Sequence, residues 1–136
     1  MDKQISNIIN TAHMHLRNIG RLRNYLSADA TSKLVLSLVM SRVDYCNSLL
    51  NNVNKDQLRR LQALQNTAAR IITKSKVFDH ITPILNDLHW LPITARIDYK
   101  TIVMTYKCLN GMAPDYLAEL LPLYQPSRSL KSQTKC

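Results

Sequence analysis

Glycine, proline and alternating β-branched residues are all scarce in this chain. Its 136 residues include only two glycines and five prolines, and Val, Ile and Thr do not form the alternating runs of half-buried strands. Apolar residues instead recur at helical spacing along most of the chain before Tyr124. The sequence therefore predicts an all-α protein, an irregular bundle of about five to six helices.

Acidic residues are also few, and they are scattered singly. Nine Asp and Glu face eighteen Lys and Arg, which gives a net charge of +9, and no DD, DxD or ExxE pattern occurs. Enzymes of metal-dependent phosphoryl transfer hold their ions with clustered carboxylates, about 4 Å apart. The sequence thus predicts no enzyme, no metal site and no cofactor. Asp79, His80 and His89 are the nearest approach to a metal cluster, and helix caps and half-buried imidazoles are the favoured interpretation.

Long apolar runs and paired cysteines are missing as well. The longest apolar stretch, Leu34 to Met40, is interrupted by Ser37 and is far shorter than the roughly 20 residues that span a bilayer. The amino terminus has no apolar core of a secretory signal. Three isolated cysteines without a CxxC pair indicate free thiols in a reducing compartment. These absences predict an intracellular protein, in the cytoplasm or nucleus, that binds neither a membrane nor a small-molecule substrate.

Capping signals predict the helix boundaries. The first helix is expected from about Asp2 to Tyr25, and the second from a cap at Asp29 or Thr31 to Leu50. Asn54 is the expected cap of a third helix, with Asp56 in its first turn. Further expectations are helix starts with proline at the first helical position at Thr82-Pro83 and Leu91-Pro92, a carboxyl-terminal cap at Gly111, and a short helix from Pro114 to near Pro122. Residues 1–124 form the predicted helical domain, and the polar, basic residues 125–136 form a predicted disordered tail.

Basic side chains recur at helical spacing on three amphipathic segments, with almost no acids among them. The first helix has an apolar side that includes Ile5, Ile9 and Leu16. On the third helix Leu61, Leu64 and Ala68 share the apolar side, and a basic arc lies opposite. A surface that serves only solubility normally mixes both signs. We therefore predict contact with a polyanion, although plain solvation is the alternative. The predicted nucleic-acid-binding residues are Arg17, Arg21, Arg59, Arg60, Arg70, Lys74, Arg96, Lys100 and Lys107.

Two residues do not fit these patterns. Arg23 falls by phase on the apolar side of the first helix, so either the helix ends before it or its charged end reaches back to solvent. Trp90, the only tryptophan, lies at a helix junction, where core packing is favoured over base stacking.

Four strings of the chain carry a family resemblance: HLRNIGRLRNYLS, LVLSLVMSRVDYCNSLLNNV, LRRLQALQNTAARIIT and FDHITPILNDLHWLPITARIDYKTIVMTYKCLNGMAPDYLAELL. They resemble the region that follows the catalytic palm in reverse transcriptases of LINE-type, non-LTR retrotransposons, especially the jockey-like and chicken-repeat groups. The similarity extends from about Ile5 to Leu130. DYCNSLL, Ala68-Ala69-Arg70, HWLP and the stretch from Asn110 to Pro114 occur in the order and spacing typical of that family.

The resemblance implies a thumb and post-thumb region, which grips RNA template and DNA primer while the palm performs the chemistry. The family's aspartate pair in a YxDD-like motif is expected upstream of Met1, so the chain is expected to be truncated, and no catalytic residue is carried over to it. RNA and DNA are the expected partners, with a palm in trans as a further one. A protein-interaction module, based on the leucine-rich second helix, and a remnant reading frame without selected activity are the alternatives.

Overall fold

A computed structural model describes residues 2–45 and 54–121 of the chain. This part contains six helices and no strand when the continuous helical rod from Ala28 to Tyr45 is counted as one helix. This confirms the predicted all-α bundle. The helices are α1 (Asp2–Leu22), the rod formed by α2 (Ala28–Val35), a π-helical segment (Leu36–Met40) and α3 (Ser41–Tyr45), then α4 (Lys55–Thr73), α5 (Ile81–Asp87), α6 (Ile93–Leu109) and α7 (Asp115–Ala118).

The chain divides into two compact units, one up to Lys100 and one from Thr101, so that the division falls within α6. The first unit contains α1 to α5 and the start of α6. In the second unit, Cys108 is the one buried residue among those that the structure describes. The predicted boundary between residues 124 and 125, and the predicted tail, lie outside the described residues.

The core of the first unit forms where α1, the α2–α3 rod, α4 and the start of α6 bring their apolar sides together. Both predicted apolar faces are confirmed, and Leu16 of α1 and Leu64 of α4 have almost no accessible surface. Such close packing is where most of the favourable free energy of folding arises. The buried cluster comprises Ile5, Ile9, Ala12, Leu16, Ile19, Val35, Val39, Met40, Val43, Leu61, Leu64, Ala68, Ile72, Ile93 and Ile97.

The cap of the second helix differs from the prediction. Ser27 has extended backbone angles, and its hydroxyl accepts a hydrogen bond from the Ala30 N–H at 3.2 Å. The predicted caps lie inside the first turn, where Asp29 pairs with Lys33 at 2.6 Å and Thr31 is buried, donating its hydroxyl to the Ser27 carbonyl at 2.8 Å. Ser27 caps because it is the last residue with extended angles before the helix begins. The predicted end at Leu50 lies outside the described residues.

The other boundaries are a mixture of confirmed and shifted positions. Asn54 caps α4, and Gly111 has a positive φ of 66° after α6, where the Met112 N–H bonds to the Lys107 carbonyl at 2.9 Å. Neither Pro83 nor Pro92 occupies the predicted first helical position. Pro83 is the third residue of α5, and Pro92 precedes α6 and accepts its first backbone hydrogen bond. Both positions suit proline because its missing N–H has no intrahelical partner there.

Arg23 is explained by the end of α1 at Leu22. Its guanidinium donates to the carbonyl oxygens of Ile71 and Ile72, both at 2.6 Å, in the last turn of α4. The last carbonyls of a helix have no partner within the helix, and the negative end of the helix dipole lies there. Arg23 therefore caps α4 and joins its end to the end of α1.

The segment between α5 and α6 is held against α4. His89 adopts a positive φ of 54°, and the Trp90 N–H reaches the Leu85 carbonyl at 2.8 Å, which ends α5 and turns the indole toward the core. This confirms the core interpretation of Trp90. From α4, buried Gln65 donates to the Leu91 carbonyl and Gln62 accepts from the Ile93 N–H, each at 2.8 Å. The two amides satisfy backbone groups at the start of α6, which explains why Gln65 lies on an apolar face.

Candidate nucleic-acid interface

Helices α1 and α4 lie side by side and run in the same direction. Near their amino-terminal ends the Arg60 guanidinium contacts the Ser6 hydroxyl at 3.3 Å, and farther along, Gly20 lies over Ile71. Between these points a shallow groove opens on the solvent side. It is lined by His13, Leu16, Arg17, Gly20, Thr67 and Ile71.

The exposed cations beside this groove form one surface, the α1–α4 face, which we define by Arg17, Arg21 and Arg60. Arg17 and Arg21 come from α1, and Arg60 comes from the neighbouring side of α4. No acidic residue occurs from Lys3 to Ala28 or from Gln57 to Phe78, which together include all of α1 after Asp2 and nearly all of α4. Cations therefore far outnumber acids on the two helices, whose acids, Asp2 and Asp56, lie at their amino-terminal ends. Such a surface attracts a polyanion through its phosphates.

Arg59 lies on the other side of α4, apart from Arg60. It lines a second shallow groove with Lys55, Leu58, Gln62 and Thr94, where α4 meets the start of α6. Arg59 lies 3.5 Å from Asp56, and both side chains are more than three-quarters exposed. A pair so exposed contributes little to stability, and a phosphate can replace the carboxylate at little cost. Lys55 adds a cation to this groove that the sequence pattern did not single out.

The last two predicted cations of α4 lie at its carboxyl-terminal end and differ in their roles. Arg70 is half-buried and donates to the carbonyl oxygens of Lys76 and Asp79, at 3.3 and 3.2 Å. Its guanidinium is thereby engaged in holding the turn between α4 and α5. Lys74 follows the helix in a left-handed conformation, with a φ of 56°, and its side chain is exposed.

Two of the three predicted cations of α6 are engaged by an acid from another helix. Asp44 of α3 accepts a forked pair of contacts from Arg96, at 2.8 Å from Nε and 2.9 Å from Nη2, while Lys100 lies 3.6 Å from the same carboxylate. The Lys100 ammonium also donates to the Asp44 carbonyl at 3.3 Å. We call Asp44, Arg96 and Lys100 the Asp44 cluster. About a quarter of the Arg96 and Asp44 side chains is accessible, so solvent screens this pair less than the Arg59 pair.

The predicted nine residues therefore do not form one surface. Three belong to the α1–α4 face, Arg59 lies on the second groove, Arg70 and Lys74 lie at the end of α4, and two belong to the Asp44 cluster. Lys107 is exposed in the second unit. The sequence pattern missed Asp44 because an acid forty or more residues away leaves no periodic signal on α6.

The described residues contain neither a metal-binding cluster nor a membrane-spanning helix. No group of three or more His, Cys, Asp or Glu side chains within residues 2–45 and 54–121 is arranged to hold an ion. In the same ranges no helix combines the length and apolar character that crossing a bilayer requires.

Comparisons of the chain with protein-family models, curated proteins and solved structures found no match.

Proposed function

We propose that this chain is a non-catalytic, nucleic-acid-gripping part of a reverse transcriptase of the LINE type, which holds an RNA template and a DNA primer by their backbones. The observation that carries the proposal is the α1–α4 face, where cations from two parallel helices lie beside one groove and no acid occurs from Lys3 to Ala28 or from Gln57 to Phe78. Its reverse-transcriptase part rests on the sequence resemblance alone.

The arrangement suits contact with phosphates rather than reading of bases. Arginine side chains on a shallow, open surface reach phosphate oxygens, and such contacts position a duplex without selecting a sequence. A protein that recognises base edges would instead insert a helix bearing amide and guanidinium groups into the major groove. We therefore expect similar affinity for hybrids of different sequence and a strong dependence on salt.

The test measures the affinity of the full chain for an RNA–DNA hybrid at several salt concentrations. In the Arg17→Gln/Arg60→Gln variant, the slope of log affinity against log salt should decrease in magnitude by about 1.4 to 1.8, because two fewer phosphates are neutralised. The matched control is Lys33→Gln/Arg42→Gln, which removes the same charge from exposed positions of α2 and α3. Equal slopes for wild type and both variants would mean that the α1–α4 face is ordinary solvated surface.

A protein-interaction module is the second candidate function. It is favoured by the second unit, whose exposed side chains include large apolar residues on α6, α7 and the residues around them. They are Ile102, Met104, Tyr106, Leu109, Met112, Tyr116, Leu120 and Leu121. This candidate takes first place if the salt slopes of the three proteins are equal.

A further inference from the structure

The turn between α4 and α5 presents two apolar side chains to solvent. Phe78 is 96% exposed, more than any other large apolar residue in the described part of the chain, and Val77 beside it is 77% exposed. A phenylalanine ring carries a large apolar surface and has no polar group to satisfy in water. We call these two residues the Val77–Phe78 tip.

The tip is held in place by hydrogen bonds of the turn. The Asp79 carboxylate accepts the Lys76 N–H at 2.7 Å, and the Asp79 N–H donates to the Lys76 carbonyl at 3.2 Å. The guanidinium of Arg70 bonds to the carbonyls of the same two residues. These contacts close the turn around Val77 and Phe78 and keep both side chains away from the core.

The charges around the tip favour an anionic partner. Lys74 and Lys76 precede it in the chain and are both exposed, whereas the acid that follows it, Asp79, uses its carboxylate within the turn. Along α4, Arg60 and Lys74 are about 20 Å apart, from the rise of 1.5 Å per residue. A backbone that follows the α1–α4 face therefore needs about six nucleotides to reach the tip, at 3.4 Å per phosphate.

We propose that the Val77–Phe78 tip is a stacking site for an unpaired nucleobase at the end of a bound duplex, with Lys74 and Lys76 holding the adjacent phosphates. This inference rests on the proposed nucleic-acid function and adds a ligand class to it. An exposed aromatic ring beside cations is an arrangement with which proteins bind single-stranded nucleic acid, because every base offers a π face. The rigid turn lowers the entropic cost of binding because the ring is already presented.

The experiment compares a blunt RNA–DNA hybrid with the same hybrid carrying a single-stranded extension, whose first unpaired base is the fluorescent adenine analogue 2-aminopurine. Phe78→Ala should weaken binding of the extended hybrid by about fivefold or more and leave the blunt hybrid unaffected. Phe78→Trp should keep the affinity and the fluorescence quenching, whereas Phe78→Leu, which is apolar but has no π face, should behave like Phe78→Ala. Because Phe78 is exposed, none of these changes removes a core contact.

Tyr45→Ala is the matched control, because Tyr45 is also an exposed aromatic residue, with 83% of its surface accessible. It lines a groove with Gln4 and Asn7 at the amino-terminal end of α1, away from the Val77–Phe78 tip. This variant should leave both affinities unchanged. Wild-type binding of both hybrids with the expected salt slope, but with no effect of Phe78→Ala, would overturn the stacking site alone. Failure of wild type to bind either hybrid at low salt would overturn the proposed function as well. Binding to phosphatidylserine vesicles that is lost in Phe78→Ala, with hybrid affinity unchanged, would identify the tip as a membrane contact instead.

Discussion

The α1–α4 face and the Asp44 cluster each contain two cations four residues apart on one helix, but the electrostatic surroundings of the two pairs differ. Arg17 lines the groove between α1 and α4, where the nearby stretches of both helices contain no acid, whereas Arg96 and Lys100 converge on one carboxylate from α3. A basic stripe on one helix therefore does not reveal whether its charges are available to a ligand. The neighbouring helix decides this, because a carboxylate at hydrogen-bond distance competes directly with a phosphate.

The largest expected effect concerns the packing beneath both regions. Leu64→Ala should lower the free energy of unfolding by about 2 to 5 kcal/mol, because it opens a cavity where the side chain has no accessible surface. Thr67→Ala, one turn farther on the exposed side of α4, should change it by less than about 0.5 kcal/mol. Denaturant unfolding measures both. A folded Leu64→Ala variant with unchanged stability would show that the assigned buried face is wrong.

A cation near the α1–α4 face that serves structure rather than binding gives the next largest effect. Arg23→Gln should cost about 1 to 3 kcal/mol of stability, because the Ile71 and Ile72 carbonyls lose a charged donor. Arg21→Gln, two residues earlier and exposed, should leave stability nearly unchanged and weaken hybrid binding instead. Thermal unfolding and hybrid affinity of the two variants are the measurements. If both variants lost stability and hybrid affinity to the same extent, the distinction between structural cations and cations available for binding would be wrong.

Removing the cations of the Asp44 cluster sharpens the comparison directly. Arg96→Gln/Lys100→Gln should lower stability by about 1 to 2 kcal/mol, because it leaves a partly buried carboxylate without its charged partners. Its salt slope for hybrid binding should change less than that of Arg17→Gln/Arg60→Gln, although both variants lose two charges. A larger slope change in the cluster variant would show that Arg96 and Lys100 reach phosphates despite Asp44.

The smallest expected effect is a gain of binding. Asp44→Asn removes the charge that engages Arg96 and Lys100, so the salt slope should become steeper, by at most about 0.9 for each new phosphate contact. Asp98→Asn, at an exposed position of α6, makes the same change in net charge and is the matched control. Salt titrations of hybrid affinity compare the two. Identical slopes would indicate that Arg96 and Lys100 do not bind phosphates even without the charge of Asp44.

Local features of the sequence predicted the all-α class, the apolar faces of α1 and α4, the cap at Asn54 and the turn at Gly111. These depend on residues within a few positions of one another, so helical periodicity and capping chemistry suffice to find them. The cap at Ser27 was missed because Ser27, Asp29 and Thr31 are all good caps, and only the backbone angles distinguish them. The sequence also left two explanations for Arg23, of which the end of α1 at Leu22 is the observed one.

By itself the sequence determined that the chain is helical and strongly basic, and that the cations of α1 and α4 have almost no acids near them along the chain. Only the tertiary structure decided which cations are available. Arg23 meets carbonyl oxygens forty-eight and forty-nine residues away, and Arg96 meets a carboxylate fifty-two residues away. The exposure of Phe78 likewise depends on how Arg70 and Asp79 close its turn. Charge and periodicity belong to the chain, whereas the pairing of each charge depends on distances that exist only after folding.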